Sequence, residues 1–275
     1  MRKVYLFEDY YDIDQTATIN GEFSIPLGVS ENGGLEEFHI TEENRGPLLV
    51  SGRCGSGKSN YLHSLLNSIF LRYSSDQVNV WLYEYAKFEY GVIMNSSIPH
   101  VTGKWIGSEN NTTEDFIASL EREIEERTKM FIENGCSHYE QYLRNIGNDY
   151  LPRVLVVIED FDMLINELFR ADYSYKSRFD SIIRMAHAFG ITLVFSVQDA
   201  LRCGYVVANA LSKHIAMRQS DESIKAQFNS ADAVELANSL IIGEAIIDIP
   251  AVHKVNLLYI TPDIEKKIIA QNNAK

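Results

Sequence analysis

Residues 48–66, "LLVSGRCGSGKSNYLHSLL", constrain the fold more than any other stretch. An apolar run enters a glycine-rich loop, and a segment of helical periodicity leaves it. Gly52-Arg53-Cys54-Gly55-Ser56-Gly57-Lys58-Ser59 fits G-x-x-x-x-G-K-[ST]. Glycines let successive backbone N–H groups turn inward on an anion. The helix that follows adds its free N–H groups and the positive end of its dipole. In that helix Leu62, Leu65, Leu66, Ile69 and Phe70 fall on one face. The pattern therefore predicts a phosphate-binding loop between a buried strand and a helix. Lys58 is the residue that reaches the β- and γ-phosphates, and the Ser59 hydroxyl helps hold Mg²⁺. The binding stretch expected is Gly52, Arg53, Cys54, Gly55, Ser56, Gly57, Lys58, Ser59 and Asn60. Cys54 reads as a filler at a variable position.

The rest of the chain alternates strands with helices. "VNVWLYEY", "RVLVVIED" and "ITLVFSVQD" read as strands, and "KHIAMRQ" and "GEAIIDIP" as shorter ones. The second and third are rich in apolar and β-branched residues without clean alternation, as strands covered on both faces are, so they belong at the centre of a parallel sheet. Residues 112–134 predict a long amphipathic helix with a threonine cap, and Gly135 sits where a left-handed terminator belongs. "SRFDSIIRMAHAFG" predicts a second helix stopped by glycine. Residues 1–46 read as a β-rich lead-in with a hairpin around "ENGG". The alternation argues an α/β fold with a mostly parallel sheet covered on both sides.

A phosphate loop of this kind needs a carboxylate for the metal and a group to orient water. Glu159 and Asp160 stand at the end of "RVLVVIED", where open α/β sheets bind ligands. They are the expected catalytic pair, with Glu159 also a metal residue beside Ser59. Asp162 reads as a helix cap. Gln198, at the end of "ITLVFSVQD", is placed to sense the γ-phosphate.

The order of these pieces resembles the FtsK/SpoIIIE family of P-loop motors over residues 22–262. "FSIPLGVSENGGLEEFHITEENRGPLLVSGRCGSGKS" is similar to the family's lead-in and loop. "VWLYEYAKFEYGVIMNSSIPHV" resembles its "DxK…PHV" region, "LPRVLVVIEDFD" its acidic strand, and "RMAHAFGITLVFSVQDA" the segment that carries its motif glutamine, here Gln198. "LSKHIAMRQSDESIKAQF" resembles the strand and helix that follow. The resemblance implies a RecA-like P-loop NTPase core, residues 47–275, with residues 1–46 packed on it. It also implies ATP and Mg²⁺ as cofactors, and hexameric rings with nucleotide between subunits. Three positions depart from the family pattern. The acidic pair is Glu159-Asp160 rather than Asp then Glu. Glu84 replaces the aspartate of "DxK", while Lys87 remains. No arginine occurs from 105 to 121, where some members carry an arginine finger, which leaves Arg122, Arg127, Arg202 and Arg218 as candidates.

"VIEDFD" further resembles the C-terminal ATPase modules of EssC-type proteins, the motors of type VII secretion. The chain carries a formal net charge of −13, and duplex DNA attracts Lys and Arg. Charge and motif together favour an exported protein as the moving partner, with self-association or neighbouring ATPase modules around it. A double-stranded DNA translocase and a nucleotide-binding module that hydrolyses little are the alternatives. No apolar run reaches the roughly 18 residues of a membrane helix. Cys54, Cys136 and Cys203 show no metal or disulfide spacing. The expected location is the cytoplasm, as a module of a longer, membrane-anchored assembly.

Overall fold

A computed structural model describes every residue apart from 1–2, 15–22, 45, 87–88, 110–111, 147–150, 172, 204–210, 212 and 274–275. Lys87 therefore lies outside the described residues. The strands are β1 (Ser24–Val29), β2 (Leu35–His39), β3 (Leu48–Ser51), β4 (Val78–Glu84), β5 (Val101–Ile106), β6 (Arg153–Ile158), β7 (Ile191–Val197), β8 (Lys213–Ala216), β9 (Glu244–Ile247) and β10 (His253–Asn256). They form one sheet in the order β2-β1-β10-β9-β8-β3-β7-β6-β4-β5. From β8 to β5 every neighbouring pair is parallel. From β8 to β2 every pair is antiparallel.

The helices described are α1 (Lys58–Arg72), α2 (Gly91–Met94), α3 (Thr112–Glu133), α4 (Tyr139–Ile146), α5 (Phe161–Ala171), α6 (Tyr173–Met185), α7 (Asp221–Phe228), α8 (Ala231–Ser239) and α9 (Pro262–Asn273). Thr112 opens α3 from inside rather than preceding it as a cap. Gly135, at φ 64°, ends that helix as expected, with Cys136 N–H reaching back to Phe131 O at 2.8 Å. Gly190, at φ 71°, closes the 3-10 turn that continues α6.

The central strands feed two apolar layers. Leu155 and Val157 of β6 join Leu62, Leu65, Ile69 and Phe70 of α1 on one face. Val154, Val156 and Ile158 join Phe116, Leu120, Leu164 and Ile182 of α3, α5 and α6 on the other. That is why β6 and β7 lack the alternation of half-exposed strands. α1 is buried on more than its predicted apolar face. Ser64 Oγ donates to Leu258 O at 3.1 Å, and Tyr61 Oη to Pro26 O at 2.8 Å. These bonds satisfy polar groups that water does not reach. They also lock the helix behind the glycine loop to β1 and to the chain that leads into α9.

Candidate nucleotide site

The loop between β3 and α1 is tied to the sheet on both sides. Gly52 N–H donates to Val197 O of β7 at 3.2 Å, and Arg53 N–H to Arg218 O just beyond β8 at 3.0 Å. Gly52 is needed for space: a Cβ there would come within 2.6 Å of Ser56 Oγ and 2.8 Å of Met217 Cβ. Gly57 is needed for backbone freedom, since it enters α1 at φ 111°. Lys58 is buried, and its Nζ donates to Gly52 O at 2.6 Å across the mouth of the loop. Ser56 is buried beneath the loop, whereas Arg53, Cys54 and Gly55 are exposed on it. The Asn60 side chain turns away, donating to Ile260 O at 3.0 Å.

Parallel register brings the acidic strand end to the same place. β3 pairs with β7 and β7 with β6, so Ser51, Val197 and Ile158 end at one edge of the sheet. Glu159 follows Ile158. It is only 8% exposed, and its Oε2 has no hydrogen-bond partner. Burial pushes its pKa up to about 7. The Ser196 hydroxyl and Lys58 oppose that rise, and the negative charges of Asp160 and Glu89 add to it. Ser196 Oγ lies near enough to temper the carboxyl, yet it too is buried with no partner at hydrogen-bond geometry. Asp160 adopts φ 51°, an uncommon backbone state for a non-glycine residue, and its carbonyl accepts the N–H groups of Met163 and Leu164 in the first turn of α5. Burial, then the charge of Asp162, raises its pKa.

Asp162 is not a cap. It lies inside the first turn of α5 and pairs with Arg202, Oδ2 to Nη1 at 3.3 Å. Gln198 is exposed one residue past β7, next to the carbonyl that holds Gly52. Its neighbour Asp199 is fixed by a polar ring behind the loop. Gln219 Nε2 donates to Ser51 Oγ (2.8 Å), which donates to Gln227 Oε1 (2.7 Å). Gln227 Nε2 reaches Ser223 O (2.9 Å), and Ser223 Oγ lies 2.8 Å from both Gln219 Oε1 and Asp199 Oδ1.

Two of the arginine candidates have other partners. Arg127 is buried, bonded to Glu123, Phe189 O and Pro152 O at 2.7 Å each, so it is part of the core and no finger. Arg202 pairs with Asp162. Arg122 and Arg218 are exposed.

The sequence reading missed Glu89, Tyr90 and His63. Glu84 is buried, and its Oε2 accepts N–H from Glu89 (3.0 Å) and Tyr90 (3.1 Å). Glu84 thus folds the chain after β4 back toward α1. The His63 imidazole, 3.7 Å from Oε1, holds the Glu89 carboxyl below its usual range against burial, helped by the Ser59 hydroxyl and Lys58. Burial disfavours the His63 cation, but its bonds to Glu265 and Glu89 prevail and push its pKa up to about 10. The Tyr90 hydroxyl is buried without a partner and lies within the field of Glu159 and Glu89. The available signal was position alone: Glu89 follows a parallel strand at the ligand-binding edge.

The set suits a magnesium nucleotide. Magnesium takes oxygen ligands and is held by one or two carboxylates together with phosphate oxygens. Here a buried carboxylate oxygen lacks a partner beside a serine hydroxyl and a lysine at a helix start. Among the described residues no group of three or more His, Cys, Asp or Glu could hold a metal ion by itself.

Comparison with known proteins agrees with this geometry. The cytoplasmic domain of the Thermomonospora curvata type VII secretion ATPase EccC superposes with a TM-score of 0.81 at 17% identity, over 98% of this chain and 34% of that one. The pCW3 conjugation coupling protein TcpA, solved with ATPγS, superposes with a TM-score of 0.74 at 19% identity, over 98% and 75% of the two chains. In sequence, the type VII secretion system protein EssC of Staphylococcus aureus (strain NCTC 8325 / PS 47) is 24% identical over 182 residues, 64% of this chain but 12% of EssC. The sequence pattern of the FtsK/SpoIIIE family matches residues 11–246, and the chain belongs to that family.

Proposed function

We propose that this chain is an ATP-binding motor module of a type VII-like protein secretion machine, acting in the cytosol beside further ATPase modules. The observation that carries the reading is the buried, unpartnered Glu159 carboxylate at the same sheet edge as Lys58 and Ser59. In this reading the backbone of Gly52–Asn60 cradles the phosphates and Lys58 neutralises the β- and γ-phosphates. Ser59 and Glu159 hold Mg²⁺, which would screen the charge that builds up as the γ-phosphoryl leaves. Asp160 orients the attacking water, and Gln198 stands beside the γ-phosphate. EssC is far longer than this chain, so neighbouring modules and an exported protein are the natural partners. The acidic chain, at −13, suits protein cargo better than a DNA backbone.

The pair Glu159-Asp160 reverses the usual lengths of the metal and water-orienting carboxylates. Misplacing the water by a small distance costs on the order of 100-fold in rate. Slow turnover in the isolated module is the expected result. The test is phosphate release at saturating ATP–Mg²⁺ for the wild type, for Glu159→Asp with Asp160→Glu, and for Asp160→Asn. Each is measured with and without duplex DNA. The exchanged pair is expected to equal or exceed the wild type, Asp160→Asn to lower turnover, and DNA to leave it unchanged. Brisk wild-type turnover with a dead exchange variant overturns the water-orienting assignment. Strong stimulation by DNA at physiological salt replaces the secretion reading with a DNA translocase.

A further inference from the structure

The geometry points to Glu89 as a further carboxylate of the metal site, brought there by the loop after β4 and held by His63 with Glu265 of α9 behind it. The inference rests on the nucleotide-binding reading above and adds a residue to the same site.

Placement comes first. β4 and β6 are parallel with Tyr83 beside Ile158, so whatever follows β4 emerges at the edge where Glu159 stands. Both N–H bonds of Glu84 then return the chain to the start of α1. Glu89 arrives against Ser59 and Lys58, and its charge reaches Glu159. Second, the site has polar groups that no protein atom satisfies. Glu159 Oε2 and the Tyr90 hydroxyl are both more than nine-tenths buried and unpartnered, and both lie within the field of Glu89. Buried polar atoms in folded proteins find partners, and two orphans beside a phosphate loop point to a ligand with its water.

The support behind Glu89 is equally specific. His63 Nε2 lies 3.1 Å from Glu89 O and 3.7 Å from Glu89 Oε1, while Nδ1 lies 2.5 Å from Glu265 Oε1. Both ring nitrogens therefore face acceptors. Glu265 is itself fixed by Asn67 Nδ2 at 3.1 Å. Partners of this kind orient metal-binding groups, and their loss costs about 10- to 100-fold in metal affinity. Glu89 stands beside Ser59, so the two side chains would offer oxygen ligands to the same ion.

The test separates metal from nucleotide. Affinity for the non-hydrolysable analogue AMP-PNP is measured in EDTA, and Mn²⁺ binding to the protein–analogue complex is followed by the paramagnetic resonance of free Mn²⁺. Glu89→Gln is expected to bind the analogue in EDTA as the wild type does and to bind Mn²⁺ about 10-fold or more weakly. Glu265→Gln, remote from the loop, is expected to weaken Mn²⁺ in the same direction by less, and it serves if Glu89→Gln does not fold. Wild-type Mn²⁺ affinity in both variants overturns the role of Glu89 and leaves the nucleotide reading standing. Failure of the wild type to bind the analogue at all overturns both.

Discussion

Arg127 and Glu159 are both charged side chains sealed inside the protein, at opposite ends of the central strands. Arg127 lies where β6 and β7 begin. Its guanidinium has three bonds of 2.7 Å, and it stacks over the Tyr139 ring with Cζ 5.7 Å from the centroid. Glu159 lies where β6 ends, with one oxygen bonded to nothing and its pKa raised by burial. The two residues separate fold from function. A buried charge with each nitrogen bonded belongs to the architecture. A buried charge with an empty valence is a cost to stability that only a ligand offsets.

The sharpest way to break this contrast is to remove Arg127. Arg127→Met leaves Glu123 and two buried carbonyls without their donor, and is expected to destabilise by about 3–5 kcal/mol. Nucleotide affinity of the folded fraction is expected to stay at the wild-type value. Urea unfolding and calorimetric titration check this, and a selective loss of affinity would return Arg127 to the nucleotide site.

Lys58→Ala is the counterpart at the other end. In the proposed site it removes the charge that would meet two phosphates, and it is expected to weaken ATP–Mg²⁺ on the order of 100-fold, with little change in unfolding midpoint. Wild-type affinity in calorimetry would show that the loop is not the binding site.

The smallest effect depends on pH. The Glu159 pKa rises from 4.5 to about 7 on folding, so the fold prefers the neutral acid. The stability that this preference supplies is complete below pH 4.5 and disappears as pH rises through 7. Glu159→Gln stays neutral throughout. Without nucleotide it is expected to be more stable than the wild type at pH 8, by up to about 3 kcal/mol, and nearly equal at pH 4.5. A constant difference at both pH values would mean that Glu159 is not held as a buried, strained charge.

The loop, the central strands and the acidic pair were legible because their signals are local. Gly52 to Ser59 is one contiguous pattern, and β6 and β7 are mostly apolar, β-branched runs. The role of Arg127 was not legible. Two of its partners are carbonyls 25 and 62 residues away, on segments that only the folded sheet brings together. Glu89 was hidden for a similar reason: its importance comes from Glu84 and His63, which lie on different elements, and nothing in "AKFEYG" marks a site. β5 was also missed, because "VTGKWI" has too few apolar residues for a buried strand. It is an edge strand with Thr102 and Lys104 exposed, so one face needs no apolar cover.

The polar ring behind the loop has an evolutionary consequence. Hydrogen bonds link Ser51, Gln219, Ser223 and Gln227 in one circuit, in which Gln219 Oε1 and Asp199 Oδ1 share the single Ser223 hydroxyl proton. Changing one member alone orphans a neighbour out of reach of water, which costs more than the bond itself. Replacing the whole circuit by apolar side chains of matching shape leaves no orphan. Related chains should therefore keep all four residues or exchange them together.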